Sequence, residues 1–405
     1  GEYGFYEAAD FTPERVPDGR RMLPVRSYMA HHQGMILAAI DNALSGQALV
    51  RRTRADARVR SVELLLHERV PMERPRERLP QIVPAEPGPR PSRFPAPQSW
   101  SPQRERGTAL HLLGNGRLSS AITDAGAGGL RWHGRALTRW NLDPTSESQG
   151  VWFYVKDEET GEQWPAIPEA DEPLRQNDSI VFHPHLAEFR CRRHGVGLRM
   201  EVAVAPADDV EIRRFTIANE TDGPRTLTLT SYAEVVLAPP RDDERHPAFS
   251  KLFVRSEWLA GLPALLFTRR PRAPDERPPV LLHRLIADAP GVTVLGFEGD
   301  RREFLGRGRD TRNPIGQVRS SDSSTGFTLD PIASLCVRIE LDPGQTETLA
   351  FLTIAAGSRE TALDVAERYQ TPSALEWVIS DAATEAAREL HRFGIVGEDV
   401  PGLQR

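Results

Sequence analysis

Between Leu110 and Ile354 the chain alternates short apolar runs with polar turns, and inside the runs apolar and polar side chains change places at every second residue. Leu198, Met200, Val202 and Val204, set against Arg199, Glu201 and Ala203, are the clearest case of a strand with one face in a core. Similar runs predict strands at 264–267, 281–286, 293–296, 336–341 and 348–354. Gly114-Asn115-Gly116 and the stretch 124–129 read as tight turns. Residues 213–217 and 226–237, joined by Asn219-Glu220-Thr221-Asp222-Gly223-Pro224, predict a hairpin. Many short strands with turns between them predict a mainly β chain built on a large antiparallel β-sandwich.

At both ends the period lengthens to that of a helix. Val25, Tyr28, Met29, His32, Met35, Ile36, Ile40, Ala43 and Leu44 share one helical face, with Gly46 as a C-cap. Asp56 is placed to cap a second helix that turns Val59, Val62, Leu65 and Leu66 inward. Two such helices cannot enclose a core, so 1–70 reads as the tail of a larger helical domain, and the start without Met reads as that of a fragment. Ten of the 34 prolines fall within 71–102, which reads as a semi-rigid linker. After Ile354, Ser358 caps a helix over 359–369. Thr371-Pro372 opens a longer one with Leu375, Val378, Ile379, Ala382, Ala386, Leu390 and Phe393 on its apolar side, closed by Gly394.

The stretch 231–254, SYAEVVLAPPRDDERHPAFSKLFV, organises the β region. Its pattern predicts a strand over 232–237, stopped by Pro239-Pro240, then a charged loop over 241–250 and a second strand over 251–254. Pro247-Ala248-Phe249 should pin that loop to an apolar surface, with Phe249 buried and His246 or Lys251 facing a groove.

Composition narrows the classes. With 39% hydrophobic and 27% charged residues the chain is globular, and a net charge of −6 argues against a nucleic-acid partner. Lys156 and Lys251 are the only lysines, a bias that fits codon usage better than function. Cys191 and Cys336, in strand-like sequence, read as buried free thiols. No apolar run approaches the ~18 residues of a membrane helix.

Several residues could carry chemistry. Glu2, Glu7 and Asp10 lie among Tyr3, Phe5, Tyr6 and Phe11, and aromatic desolvation of a carboxylate suits a general acid in glycoside chemistry, although a surface loop has the same pattern. Four of the seven tryptophans fall between Trp132 and Trp164, either as a sugar-stacking face or as sandwich core. Phe304-Leu305-Gly306-Arg307-Gly308-Arg309 lacks the lysine of a P-loop but leaves Arg307 and Arg309 as a clamp for an oxyanion or sugar hydroxyls. Neither His31-His32 nor His183 with His185 has the further ligands a metal site needs.

The ordered motifs GEYGFYEAADFTP, VRSYMAHHQGM, RRTRADARVRSVELLLHERVP, LGNGRLSSAITDAGAG, LTRWNLDPT, SYAEVVLAPP, HPAFSKLFV, RRPRAPDE, FLGRGR and LDPIASL resemble the bacterial cyclic β-1,2-glucan synthases along nearly the whole chain. The resemblance implies that 1–70 ends a helical (α/α) cyclisation domain and that 71–102 is a linker. It makes 103–355 the N-terminal, galactose-mutarotase-like supersandwich of a glycoside-phosphorylase-like module, and 356–405 a helical linker toward an (α/α)6 catalytic barrel. It implies a soluble segment of a larger membrane protein on the cytoplasmic side of the bacterial inner membrane. β-1,2-Glucan is then the saccharide and inorganic phosphate the co-substrate, with no cofactor or metal, the barrel as partner in cis, and a homodimer possible. On this basis Glu7 is the carboxylate assigned to the cyclisation domain, and Trp140, His246, Lys251, Arg307 and Arg309 are assigned to saccharide contact. The isolated chain is then expected to frame β-glucan without turning it over. A structural or oligomerisation module without saccharide affinity, and a free-standing enzyme using Glu7 with Asp10 or Glu2, are the competing readings.

Overall fold

The computed structural model describes residues 6, 8–11, 16, 19–56, 59–60, 99–102, 108–140, 150–167, 175, 177–287, 289–316 and 323–395. Two compact units are present, Gly1–Glu86 and Pro87–Arg405.

In the first unit, β1 (Ala8–Asp10) pairs antiparallel with β2 (Leu23–Val25), and the helices α1 (Ala30–Leu44) and α2 (Ala48–Ala55) follow. Pairing of Val25 with Ala8 draws the start of the expected helix into a strand, so α1 begins five residues late. Gly46 adopts φ 61° just beyond the Ser45 cap, as a helix-ending glycine should. Asp56 ends α2 with an extended backbone, and its carbonyl accepts the Arg60 amide at 3.1 Å, the first bond of a following helical turn, as expected of a residue at a helix start. Glu2, Glu7, Val62, Leu65 and Leu66 lie outside the described residues, as does most of the proline-rich stretch.

The second unit is a sandwich. Its strands are β3 (Leu110–Gly114), β4 (Leu118–Thr123), β5 (Gly128–Trp132), β6 (Arg135–Thr138), β7 (Val151–Asp157), β8 (Gln163–Pro165), β9 (Ser179–His183), β10 (Leu186–Arg193), β11 (Val196–Val204), β12 (Val210–Asn219) and β13 (Arg225–Ala238). After two short helices, α3 (Pro240–Arg245) and α4 (Pro247–Lys251), come β14 (Val254–Leu259), β15 (Ala264–Arg269), β16 (Val280–Ala287) and β17 (Val292–Asp300). Helix α5 (Arg301–Leu305), β18 (Pro331–Leu341), β19 (Thr346–Ala356), α6 (Arg359–Arg368) and α7 (Pro372–Phe393) complete it. One sheet has eight strands in the order β14-β15-β16-β19-β12-β11-β10-β9; the other has nine, β17-β18-β13-β6-β5-β4-β3, with β7 on β13 and β8 on β7. Trp100 already bridges to Phe182, so the sandwich is joined before Pro102.

Alternation decides which side chain faces which layer. Along β15 and β16, Leu265, Phe267, Leu281 and Leu285 enter the core between the sheets, whereas Leu266, Leu282 and Ile286 point the other way. That second face is covered by Ala362, Val365 and Ala366 of α6 and Leu375 of α7. Both helices start as their sequence predicts: Ser358 Oγ accepts the Thr361 amide (3.2 Å) and Thr371 Oγ1 the Ala374 amide (3.3 Å). Gly394 closes α7 at φ 67°, and both cysteines are buried and free.

Two expectations are corrected. The segments 213–217 and 226–237 are not a hairpin: β12 pairs with β11 and β19, and β13 with β18, β7 and β6 in the other sheet. The turn between them crosses the sandwich, clamped by buried Asn219, whose Nδ2 donates to the carbonyls of Gly223 (2.8 Å) and Leu341 (3.1 Å). Oδ1 of Asn219 accepts from the amide (3.0 Å) and hydroxyl (2.7 Å) of Thr221. The charged stretch 241–250 is not a loop either. Pro240 and Pro247 each open a short helix, their fixed φ suiting the first helical position, and the next strand starts at Val254 rather than Lys251.

Candidate functional site

The residues that hold α3 and α4 in place form a compact network of buried charge. Arg139, the residue after β6, is 8% exposed. Its Nε and Nη2 fork onto Asp243 of α3 at 2.7 and 2.6 Å, and its Nη1 pairs with Glu234 of β13. Bidentate contact of this kind fixes orientation as well as charge. The other oxygen of Glu234 accepts from Tyr232 Oη (3.0 Å) and from Nε of Arg301 (2.9 Å), the first residue of α5. Lys251, at the end of α4, pairs with Asp330, which also lies 3.8 Å from Arg301 and 4.0 Å from Arg139. Three cations thus face three carboxylates. Burial pushes the Glu234 carboxyl up, but Arg139, Arg301 and Lys251 outweigh it and hold the group below the usual carboxylate range. For Arg139 burial works against the charge and loses to Asp243 and Glu234, so the guanidinium stays charged.

Aromatic packing ties the glycine–arginine segment to the same place. Phe304 of α5 packs on Tyr232 (4.9 Å between ring centres) and Tyr154 (5.9 Å), and the Tyr154 hydroxyl donates to the Thr311 carbonyl at 2.5 Å. Gly306 sits at φ 81°, where a Cβ would lie 2.2 Å from Ile315 Cδ1, so only glycine fits. A further joint lies behind α4. Arg269 Nη1 donates to the carbonyls of Ser250 (2.8 Å) and Val236 (3.3 Å), beside a bulge in β13 where buried Leu237 is forced to φ 56°.

Beside this network opens a cleft of about 390 Å³, lined among others by Leu110, Leu112, Ser119, Arg139, Trp140 and Glu244. Trp140 is set closely against a bed of glycines. A Cβ on Gly129 would stand 2.7 Å from Trp140 Cβ, and one on Gly150 (φ 117°) 3.2 Å from Trp140 Cδ1. The cleft therefore has a half-buried indole on a rigid base, an apolar floor, and a carboxylate of Glu244 at its rim.

Of the residues assigned from sequence, Trp140 lies in the cleft and Lys251 in the ion network. His246 is exposed between α3 and α4, next to Pro247 of the cleft wall, and Arg307 and Arg309 are exposed beyond α5. Phe249, expected to be buried, is 38% exposed, because α4 turns its ring outward against Phe253. Trp152 and Trp164 are core, and Trp132 donates to Asp209 at 2.7 Å. Glu7 lies outside the described residues. Among the described residues no cluster of three or more groups could hold a metal; burial, then His183, pushes His185 down to about 4. Sequence reasoning missed Arg139, Tyr232, Glu234, Asp243, Arg301 and Asp330. The signal within reach was Glu234, a carboxylate amid the apolar run of β13 that must find a buried partner.

The comparisons with known proteins agree with this architecture. Residues 98–372 match the family described as glycosyl hydrolase 94, supersandwich domain. The chain is 32% identical over 412 residues to a cyclic beta-(1,2)-glucan synthase of Rhizobium meliloti (strain 1021), covering all of this chain and 14% of that protein. A solabiose phosphorylase of Paenibacillus borealis is 26% identical, covering 66% of this chain and 34% of that one. An N,N'-diacetylchitobiose phosphorylase of Vibrio proteolyticus is 24% identical, covering 64% and 32%. The chain spans about a third or less of the length of each of these relatives. With more than half of its residues matched, the chain belongs to the glycosyl hydrolase 94 supersandwich family.

Proposed function

We propose that this sandwich is the saccharide-framing part of a cyclic β-1,2-glucan synthase and that the cleft at Trp140 holds a stretch of β-1,2-linked glucan. The observation that carries the reading is the indole fixed on Gly129 and Gly150 beside the buried fork of Arg139 and Asp243. A pyranose offers an apolar C–H face to an aromatic ring, and a few fixed polar groups then set its orientation. In this reading turnover belongs to an (α/α)6 barrel in cis, where phosphate acts as co-substrate. The first unit, with Glu7, belongs to the cyclisation domain, and the whole assembly sits at the cytoplasmic face of the inner membrane. Among the described residues no helix is long and apolar enough to cross a membrane.

Calorimetric titration of the 405-residue chain with linear β-1,2-glucan tests the reading. Saturable binding should weaken about tenfold or more, roughly 1.4 kcal/mol, in Trp140→Ala. No binding at millimolar glucan, with the fold intact, would instead favour a structural or oligomerisation module.

A further inference from the structure

The sequence Arg269-Arg270-Pro271-Arg272 leaves β15 alongside α4 and gathers three guanidinium groups about one ring. Their central carbons stand 5.4 Å (Arg269), 6.0 Å (Arg270) and 5.6 Å (Arg272) from the centre of Phe253. Arg272 also lies 5.2 Å from the centre of Phe249, whose ring meets Phe253 edge-on at 5.2 Å. Cation–π contact holds the forks in place without cancelling their charge.

Counter-charge is short at this corner. Arg270 and Arg272 are exposed, and among the described residues neither guanidinium has an ion-pair or hydrogen-bond partner. Arg269 is 4% exposed, and its Nε and Nη2 meet no acceptor among those residues. Of the acids, Asp243 is forked by Arg139, Glu276 accepts the backbone amide of Arg272 (2.5 Å), and Glu276, Asp242 and Asp243 act on Arg269 through their field, without a direct contact to its guanidinium.

We propose that this corner is a binding site for a phosphate-class oxyanion. The planar forks of Arg270 and Arg272 meet the oxygens, Arg269 supplies fixed positive charge from beneath, and the exposed ring of Phe249 lies where the apolar face of an attached sugar would rest. Inorganic phosphate and the phosphate group of a hexose phosphate share this chemistry. The inference does not rest on the saccharide reading of the cleft.

The test is titration of the 405-residue chain, at low ionic strength, with inorganic phosphate and separately with glucose 1-phosphate. The double variant R270A/R272A serves as the comparison; both side chains are exposed, so its unfolding midpoint should match the parent's. Binding with a dissociation constant of about 1 mM or tighter is expected, weakening at least ~10-fold in the double variant. Tighter binding of glucose 1-phosphate identifies a sugar phosphate as the ligand, and equal binding identifies free phosphate. Absence of saturable binding by either compound, or binding that survives the double substitution, overturns the proposal.

Discussion

Removal of the Glu234 carboxylate tests whether the charge network, rather than the surrounding apolar packing, holds α3 and α5 onto the sheet. Glu234 is 5% exposed and has three direct partners: Arg139, Arg301 and the Tyr232 hydroxyl. Breaking a buried ion pair from one side costs about 3–5 kcal/mol, because the remaining charge is stranded. Here the stranded charge is partly relieved. Arg139 keeps its fork on Asp243, and the Arg301 side chain, 36% exposed, can turn toward water. Glu234→Ala should therefore sit at the low end, about 3 kcal/mol. Arg139→Met should cost more, since it strands both Glu234 and Asp243 without a forked partner. Urea unfolding followed by tryptophan fluorescence reads both, as Trp132, Trp140, Trp152 and Trp164 all lie in the sandwich. The sign with pH also follows. Because the folded carboxyl lies below its unfolded value, its stabilisation is present at neutral pH and lost as pH falls through the folded value. Glu234→Gln should flatten that part of the acid limb. A loss under 1 kcal/mol for Glu234→Ala, or Arg139→Met milder than it, would refute this account of the network.

Two further outcomes are expected. Asn219→Ala removes both donors and the acceptor that clamp the crossing between the sheets, leaving the Leu341 carbonyl short of a partner, and should cost about 2–3 kcal/mol in the same unfolding assay; a change within error would mean the turn holds itself. His283 is fully enclosed, 2.9 Å from Ser231 Oγ and stacked on Phe351, and burial, helped by Arg213, pushes its pKa down to about 3. The folded state keeps it neutral while the unfolded chain takes up a proton near pH 6.5. Stability should therefore fall by up to about 1.4 kcal/mol per pH unit as pH drops from 6.5 toward that value, and His283→Gln should remove the slope. An identical pH dependence in the variant would exclude His283 as its source.

The period of the strands was legible because nearly every strand has one face in the core, and β11 keeps its alternation where it enters the sandwich. Which sheet a strand joins was not. The Asn219–Pro224 turn reverses the chain equally well within a sheet or across two, and the choice is made by β18, some hundred residues further along, which pairs with β13. Helices α3 and α4, of six and five residues, are too short to show a period. Proline at the first position of each, with Asp242 and Asp243 in the first turn of α3, was the readable sign. Two hairpin turns went unread for a different reason. His133-Gly134 (φ 46° and 75°) and His194-Gly195 (φ 51° and 76°) place histidine where asparagine is usual. The network itself was spread over separate motifs: Arg139 lies 104 residues from Asp243 and 95 from Glu234, so each charge looked like an ordinary surface group.

Stability alone does not explain why charge was placed there. A buried ionic cluster is often no more stabilising than apolar side chains of the same volume, so its value lies in fixing geometry. The eight-stranded sheet holds α6 and α7 with Leu352, Ile354 and Leu375 in one cluster, hydroxyl caps at both helix starts, and buried Arg284 donating to the Ala366 and Tyr369 carbonyls at the end of α6. At the cleft the means are different. Leu237 adopts a left-handed conformation costing about 1–2 kcal/mol, the bulge it makes leaves the Val236 carbonyl to Arg269, and Arg139 locks α3 to the strand end that carries Trp140. Strain, buried charge and glycine-only contacts coincide in this region. Local rules are broken where a protein must hold a surface in a particular shape, and that argument supports placing the proposed saccharide at the face bearing Trp140.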